Sequence, residues 1–370
     1  MKEQYVCHSC ETKYDVTENV WKCKCGGMLD LVKEMVEIDT SRLQENQNPT
    51  TMWRYIDAMP FENNSTFWQA VTMGEGYTPL IVLDDSESNT FVKVDYMMPT
   101  LSFKDRGAVV LIAKAKELGI TKVIADSSGN AGTSIAAYAK RAGIACDIFL
   151  GEGTSPKKIA QVKAHGANVR AINGTREDVA VAAQKAVNEE KVFYASHVYN
   201  PFFYEGTKTY AYEIWEQMKC APDALIIPVG NGTLLLGAYY GFKELLENGL
   251  IKKMPKLIAI QAENCAPLAK AFVNNETFAE PVENNGTLAE GIAIAAPARS
   301  VQILEAIRAT NGEILTTTEE EIIQARTTLA GKGFYVEPTT AANYAGYLKY
   351  NHSPSEKIII PLCGAGIKAN

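Results

Sequence analysis

Ser102-Phe103-Lys104-Asp105-Arg106-Gly107 follows a short apolar run, Phe91 to Val94, and opens a helix-like stretch from Ala108 to Leu118. A lysine in that place sits at a sheet rim and at a helix N-terminus. The helix dipole and partial desolvation both oppose the ammonium form and favour a free amine. A free amine is what condensation with a carbonyl requires. Taken alone, Lys104 to Arg106 read first as a solvated charge triplet at a helix start, so the rest of the chain must decide.

Outward from this stretch, apolar runs alternate with helical patterns from Thr78 onward. The strand candidates are Phe91–Val94, Lys122–Ala125, Cys146–Leu150, Asn168–Ile172, Val192–Ala195, Ala224–Val229, Leu257–Gln261 and Lys357–Leu362. Apolar positions three and four apart predict helices over Ala108–Leu118, Gly132–Ala142, Pro156–His165, Arg176–Glu189 and Leu234–Leu246. Such alternation implies an α/β fold of βαβ units on parallel sheets. Parallel sheets place ligands beyond the carboxyl ends of their strands.

Two further strand-end loops carry chemistry. Ser127-Ser128-Gly129-Asn130-Ala131-Gly132-Thr133 follows the strand Lys122–Ala125. Hydroxyls, a glycine and an amide at a helix start suit a carboxylate, although an N-cap needs only one of them. Gly230-Asn231-Gly232-Thr233 follows Ala224–Val229. Its small residues let backbone N–H groups converge on a phosphate. It is neither a dinucleotide fingerprint nor a Walker loop, so nicotinamide and ATP are poorly supported. One amine for an aldehyde, one loop for a phosphate and one for a carboxylate together describe pyridoxal phosphate with an amino-acid substrate.

The 370 residues carry a net charge of −7, which argues against nucleic acid as a partner. No apolar run approaches the roughly 20 residues that a membrane span needs. The first ten residues lack the apolar core of a signal peptide, so the cytoplasm is the expected compartment. Four of the eight cysteines cluster, as Cys7-x-x-Cys10 and Cys23-x-Cys25. In a reducing compartment four thiolates suit a closed, structural tetrahedral zinc site. Free thiols, an empty site or a redox use is the alternative. His8 lies inside this knuckle, but four cysteines already complete the shell.

The order of motifs resembles the fold-type-II pyridoxal-phosphate enzymes and, within them, the threonine synthases. Gly74-Glu75-Gly76-Tyr77-Thr78-Pro79-Leu80 is similar to the family's GEGxTPL, and Pro99 to Gly107 to its NPTGSFKDRG. SSGNAG, PVGNGT and Glu337-Pro338 fall in the family's order, and an N-terminal cysteine knuckle occurs in many of its members. The resemblance implies two doubly wound α/β domains with a small zinc-ribbon-like knuckle. It implies that Lys104 binds the cofactor covalently and then shuttles protons. Asn130 would bond the ring hydroxyl, and Ser127, Ser128, Asn130 and Thr133 would hold the substrate carboxylate. Val229, Gly230, Asn231, Gly232 and Thr233 would grip the phosphate, and Cys363 would face the ring nitrogen. The plain alternative for Cys363 is a small buried core residue.

The sequence departs from the family at Met98-Pro99-Thr100-Leu101, where a small residue becomes bulkier, around His197 to Tyr204, and at Cys363. The first two bear on the substrate's distal group. The expected domains are a knuckle at 1–33, an arm at 34–77, a larger body at 78–119 and 197–370, and a small mobile domain at 120–196. A homodimer is the expected assembly. The expected activity is that of a lyase acting on an amino acid with a leaving group at Cβ or Cγ, foremost phosphohomoserine plus water to threonine plus phosphate. The alternatives are serine or threonine dehydration, β-replacement such as cysteate synthesis from phosphoserine and sulfite, and a non-catalytic zinc-ribbon adaptor.

Overall fold

The computed structural model describes residues 3–34, 38, 40–41, 43, 50–61 and 65–369. The expected arm therefore lies partly outside the described residues. Within it, Met52–Ala58 and Phe67–Ala70 form short 3-10 turns. Trp53 stacks on Trp68 there at 4.9 Å.

The elements run in chain order as follows. β1 (Gln4–Cys7), β2 (Lys13–Asp15) and β3 (Leu29–Val32) lead to β4 (Leu80–Val82), β5 (Thr90–Lys93) and α1 (Lys104–Glu117). Next come β6 (Lys122–Ala125), α2 (Asn130–Ala142), β7 (Ala145–Gly151), α3 (Pro156–Ala164), β8 (Asn168–Ile172), α4 (Arg176–Glu190) and β9 (Phe193–Tyr194). Then follow α5 (Pro201–Thr207), α6 (Thr209–Met218), β10 (Ala224–Pro228), α7 (Thr233–Glu247), β11 (Lys256–Ala262) and α8 (Pro267–Val273). The chain closes with α9 (Ser300–Ala309), β12 (Glu313–Thr317), α10 (Glu319–Gly331), α11 (Pro338–Lys349) and β13 (Ile358–Pro361).

Contacts divide the chain into two compact units, Met1–Glu75 with Lys104–Thr207, and Gly76–Phe103 with Lys208–Asn370. The borders thus fall at Glu75, Phe103 and Thr207, where the sequence pattern suggests 77, 119 and 196. The main difference is α1. It is buried from Asp105 to Ala115, nearly all round, as a central helix is. Its closest neighbours, α2 and α5, belong to the first unit.

The first unit holds an antiparallel ribbon in the order β2-β1-β3 and a parallel sheet in the order β8-β7-β6-β9. Ile124 pairs with Tyr194 and Ile148 with Val169. Strand order reverses between β6 and β9, and the loop leaving β6 at such a switch point is where a ligand fits. Ile124, Phe149, Val179, Val187 and Tyr194 pack as a core under that sheet.

The second unit is a six-stranded sheet in the order β12-β11-β10-β13-β5-β4, parallel except for the edge strand β4. Its switch point lies between β10 and β13, which pair through Leu225 and Ile359. β4 and β12 are absent from the sequence reading. Both are short edge strands: β4 is only three residues long with Ile81 and Val82 exposed, and β12 mixes Glu313 and threonines with two apolar residues, so neither gives the long buried run of a central parallel strand.

Candidate active site

Within the first unit, Lys104 is the first residue of α1, and its Nζ lies 5.9 Å from the centre of the Phe203 ring. Two glycines permit this. A Cβ on Gly107 would come within 2.3 Å of the Phe203 ring, and one on Gly206 within 1.9 Å of the Arg106 carbonyl. α1 and α5 therefore pack backbone to backbone, which presses Phe203 up beside the lysine. The His197 ring meets Phe203 edge-on at 6.0 Å. Burial, then the charges of Lys104 and Arg176, hold His197 well below its ordinary pKa, so it is neutral at physiological pH.

Asp105, next to the lysine, accepts a hydrogen bond from Ser134 Oγ at 2.5 Å, and both residues are fully buried. Ser134 belongs to α2, the helix opened by Ser127–Thr133. Lys104, Ser127, Ser128, Asn130 and Thr133 are thus brought together in one unit. The loop folds tightly: a Cβ on Gly132 would lie 1.8 Å from the Ser127 carbonyl oxygen. Ser127 Oγ already accepts from Gly129 N at 3.3 Å, a local turn bond. The N-cap of α2, Gly129, supplies no side-chain cap. That leaves the first-turn N–H groups to an anion.

The second unit holds Val229 to Thr233 and Cys363, which follow neighbouring strands β10 and β13. A Cβ on Gly230 would lie 2.7 Å from Ile294 Cγ1. Gly232 is left-handed, with φ at 73°, and a Cβ there would strike Ile303. The turn ends at the N-terminus of the 15-residue α7, again without a side-chain cap. That donor set fits a phosphate. Cys363 is buried, and its Sγ faces the Pro361 carbonyl at 3.8 Å. Its own carbonyl accepts from Phe103 N at 2.9 Å, and Ser102 bridges to Gly364. Ser102 Oγ is buried without a protein hydrogen-bond partner. An orphaned hydroxyl two residues before Lys104 suits a site built for a polar guest. Leu101, where the family has a small residue, is left-handed with φ at 62°. Holding a leucine there costs roughly 1–2 kcal/mol.

The ribbon brings its four cysteines together, with Sγ atoms all within 4.8 Å of one another. Cys7 to Cys25 is 3.5 Å and Cys10 to Cys23 is 3.6 Å. Four sulfurs around one zinc at about 2.3 Å would sit about 3.8 Å apart, so the cluster fits the ion. The Tyr14 hydroxyl, 3.1 Å from Cys23 Sγ, pulls that thiol down to about 6. The Gly27 N–H favours a thiolate at Cys25, but Cys10, Cys23 and Cys7 together hold it up at about 12. Four thiols crowded into one site split in this way. His8 is engaged with Asp30 at 3.0 Å.

Asp126, Tyr194 and Trp21 escaped the sequence reading. Burial raises the Asp126 carboxyl to about 6, against the opposing effects of the Tyr194 hydroxyl and Arg176. An acidic residue directly before Ser127-Ser128 is the one signal that would have pointed to it.

The chain matches the family described as pyridoxal-phosphate dependent enzyme over residues 71–364. It is 35% identical to a threonine synthase of Methanocaldococcus jannaschii, over 98% of this chain and 92% of that one. It is also 35% identical to one of Methanosarcina acetivorans, over 93% and 85%. Maize serine racemase superposes with a TM-score of 0.68 over 78% of this chain and 88% of that one, at 20% identity, a likeness of fold. With Lys104 at the head of a buried helix, and a match that runs from the ribbon to the last strand, the chain belongs to the pyridoxal-phosphate dependent enzymes, in the threonine synthase family.

Proposed function

We propose that this lyase converts O-phosphohomoserine and water to threonine and phosphate. The observation that carries the reading is Lys104 at the start of α1, tied through Asp105 and Ser134 to the loop suited to an amino-acid carboxylate. Lys104 Nζ attaches the cofactor and, once released, takes the proton from the substrate's α-carbon and returns protons along the chain of the substrate. Bound pyridoxal phosphate supplies the sink for the electron pair left at that carbon. Ser128, Asn130, Thr133 and the amides after Gly129 hold and orient the carboxylate, with Ser127 shaping the turn, and Asn130 also takes the ring hydroxyl. Val229 to Thr233 hold the cofactor phosphate. Cys363 offers the ring nitrogen a weak, neutral partner, which suits elimination over transamination. The ribbon takes one structural zinc on Cys7, Cys10, Cys23 and Cys25. A cytoplasmic homodimer is the proposed setting. No helix among the described residues is long and apolar enough to cross a membrane.

A second reading, dehydration of serine or threonine, is favoured by the surroundings of Lys104. A phenyl ring and a neutral imidazole suit an uncharged hydroxyl leaving group better than a phosphate dianion. Steady-state assay of the holoenzyme against O-phosphohomoserine, O-phosphoserine, serine and threonine decides. Threonine and phosphate formed together from phosphohomoserine support the first reading. Turnover confined to serine or threonine, with oxoacid and ammonia released, supports the second and overturns the first.

A further inference from the structure

We propose that Trp21 of the ribbon is a positioning residue for the Ser127–Thr133 loop, acting through Tyr194 on Asp126. The inference rests on the reading that this loop holds the substrate carboxylate.

Trp21 leaves the ribbon two residues before Cys23 and reaches the parallel sheet of the same unit. Its ring meets Tyr194 edge-on at 5.5 Å and Tyr199 edge-on at 5.1 Å. Those two tyrosines stack on each other at 5.9 Å. Its indole N–H donates to Asn188 Oδ1 at 3.0 Å, and Asn19 Nδ2 donates to the Lys191 carbonyl at 3.0 Å. The ribbon is therefore pinned to the end of α4 and to β9 by directional bonds as well as by ring contact. Edge-on pairs of this kind fix orientation, because the positive ring edge seeks the negative face.

Tyr194 passes the constraint on. It is 2% exposed and pairs with Ile124 of β6, two residues before Asp126. Its phenol lies beside the Asp126 carboxyl and near Tyr199, and Arg176 is the charged group acting on Asp126. The position of the Asp126 carboxyl is thus tied to that of the Tyr194 phenol beside it. Asp126 is covalently joined to Ser127. A tilt of the Tyr194 ring moves Asp126 and with it the first hydroxyls and amides of the loop.

The test uses the holoenzyme with Trp21→Leu, Trp21→Phe, Tyr194→Leu, the Trp21→Leu/Tyr194→Leu double variant and Ser128→Ala. For the amino-acid substrate, Trp21→Leu should raise KM roughly fivefold or more while kcat stays within about twofold, and Trp21→Phe should restore most of it. The double variant should be no worse than Tyr194→Leu alone, since both act along one path. Amide exchange at residues 126–133 should quicken in Trp21→Leu with or without cofactor. An unchanged KM and unchanged exchange in Trp21→Leu and Trp21→Phe, with KM raised in Ser128→Ala, overturns the role of Trp21 alone. An unchanged KM in Ser128→Ala as well removes the carboxylate loop reading, and this inference with it.

Discussion

Ser134 Oγ donates to Asp105 Oδ1 at 2.5 Å, with both side chains wholly buried, so the lysine's helix and the helix of the carboxylate loop are joined by a charge-assisted bond. Bonds of this type run short and are stronger than neutral ones. Any motion of the loop helix therefore carries the start of α1 with it.

Ser134→Ala should cost about 1–3 kcal/mol of stability, because it takes a donor from a buried carboxylate. Urea unfolding of the cofactor-free chain at neutral pH reads the loss. A midpoint unchanged from wild type would show that the bond contributes nothing.

Gly232→Asp should weaken cofactor binding roughly tenfold or more, since it sets a negative side chain beside a dianion. The left-handed backbone and the closeness of Ile303 leave no room to turn that side chain aside. Titration followed by the cofactor's visible absorption measures it. Equal affinity in the variant removes the phosphate from this loop.

Asp126 predicts a pH signature in stability. Its native pKa, about 6, stands above the ordinary carboxylate value. A carboxyl raised on folding contributes fully when protonated, and that contribution is lost as pH rises through its native pKa. The residue is half-buried, so the loss is about 1–2 kcal/mol and falls between pH 4 and pH 7. Asp126→Asn should match wild type at pH 4 and exceed it at pH 7.5. Parallel curves for the two proteins would show that the carboxyl titrates normally.

Purified without chelators, the chain should carry one zinc ion, and its removal should loosen the ribbon. Elemental analysis of Cys10→Ser and Cys25→Ser should show the metal lost. Zinc-free wild type, purified in the same way, would contradict the assignment.

Much of this architecture was legible in the residues. β6 was readable to the residue as a short apolar run between turns, and β8 as an alternation of polar and apolar residues, Asn168 to Ile172, between two helical patterns. The helices over Arg176–Glu190 and Thr233–Glu247 followed from their spacing. The cysteine cluster and the glycine turn were legible because thiols and left-handed glycines have few other uses. β1 was missed because it is only four residues long and its alternation lies in burial, Tyr5 and Cys7 inward, and not in residue type. Phe203 beside Lys104 was not readable, because it depends on the close approach of α1 to α5 at Gly107 and Gly206. Trp21 on Tyr194 joins positions 173 apart in sequence, a pairing that no local pattern encodes.

The central claim is that Lys104 carries the cofactor. Borohydride reduction of the coloured holoenzyme, followed by peptide mass mapping, tests it directly. One reduced pyridoxyl phosphate group on Lys104, absent in Lys104→Ala, is the predicted result. A label on any other lysine, or a Lys104→Ala protein that still traps the cofactor covalently, would contradict the account.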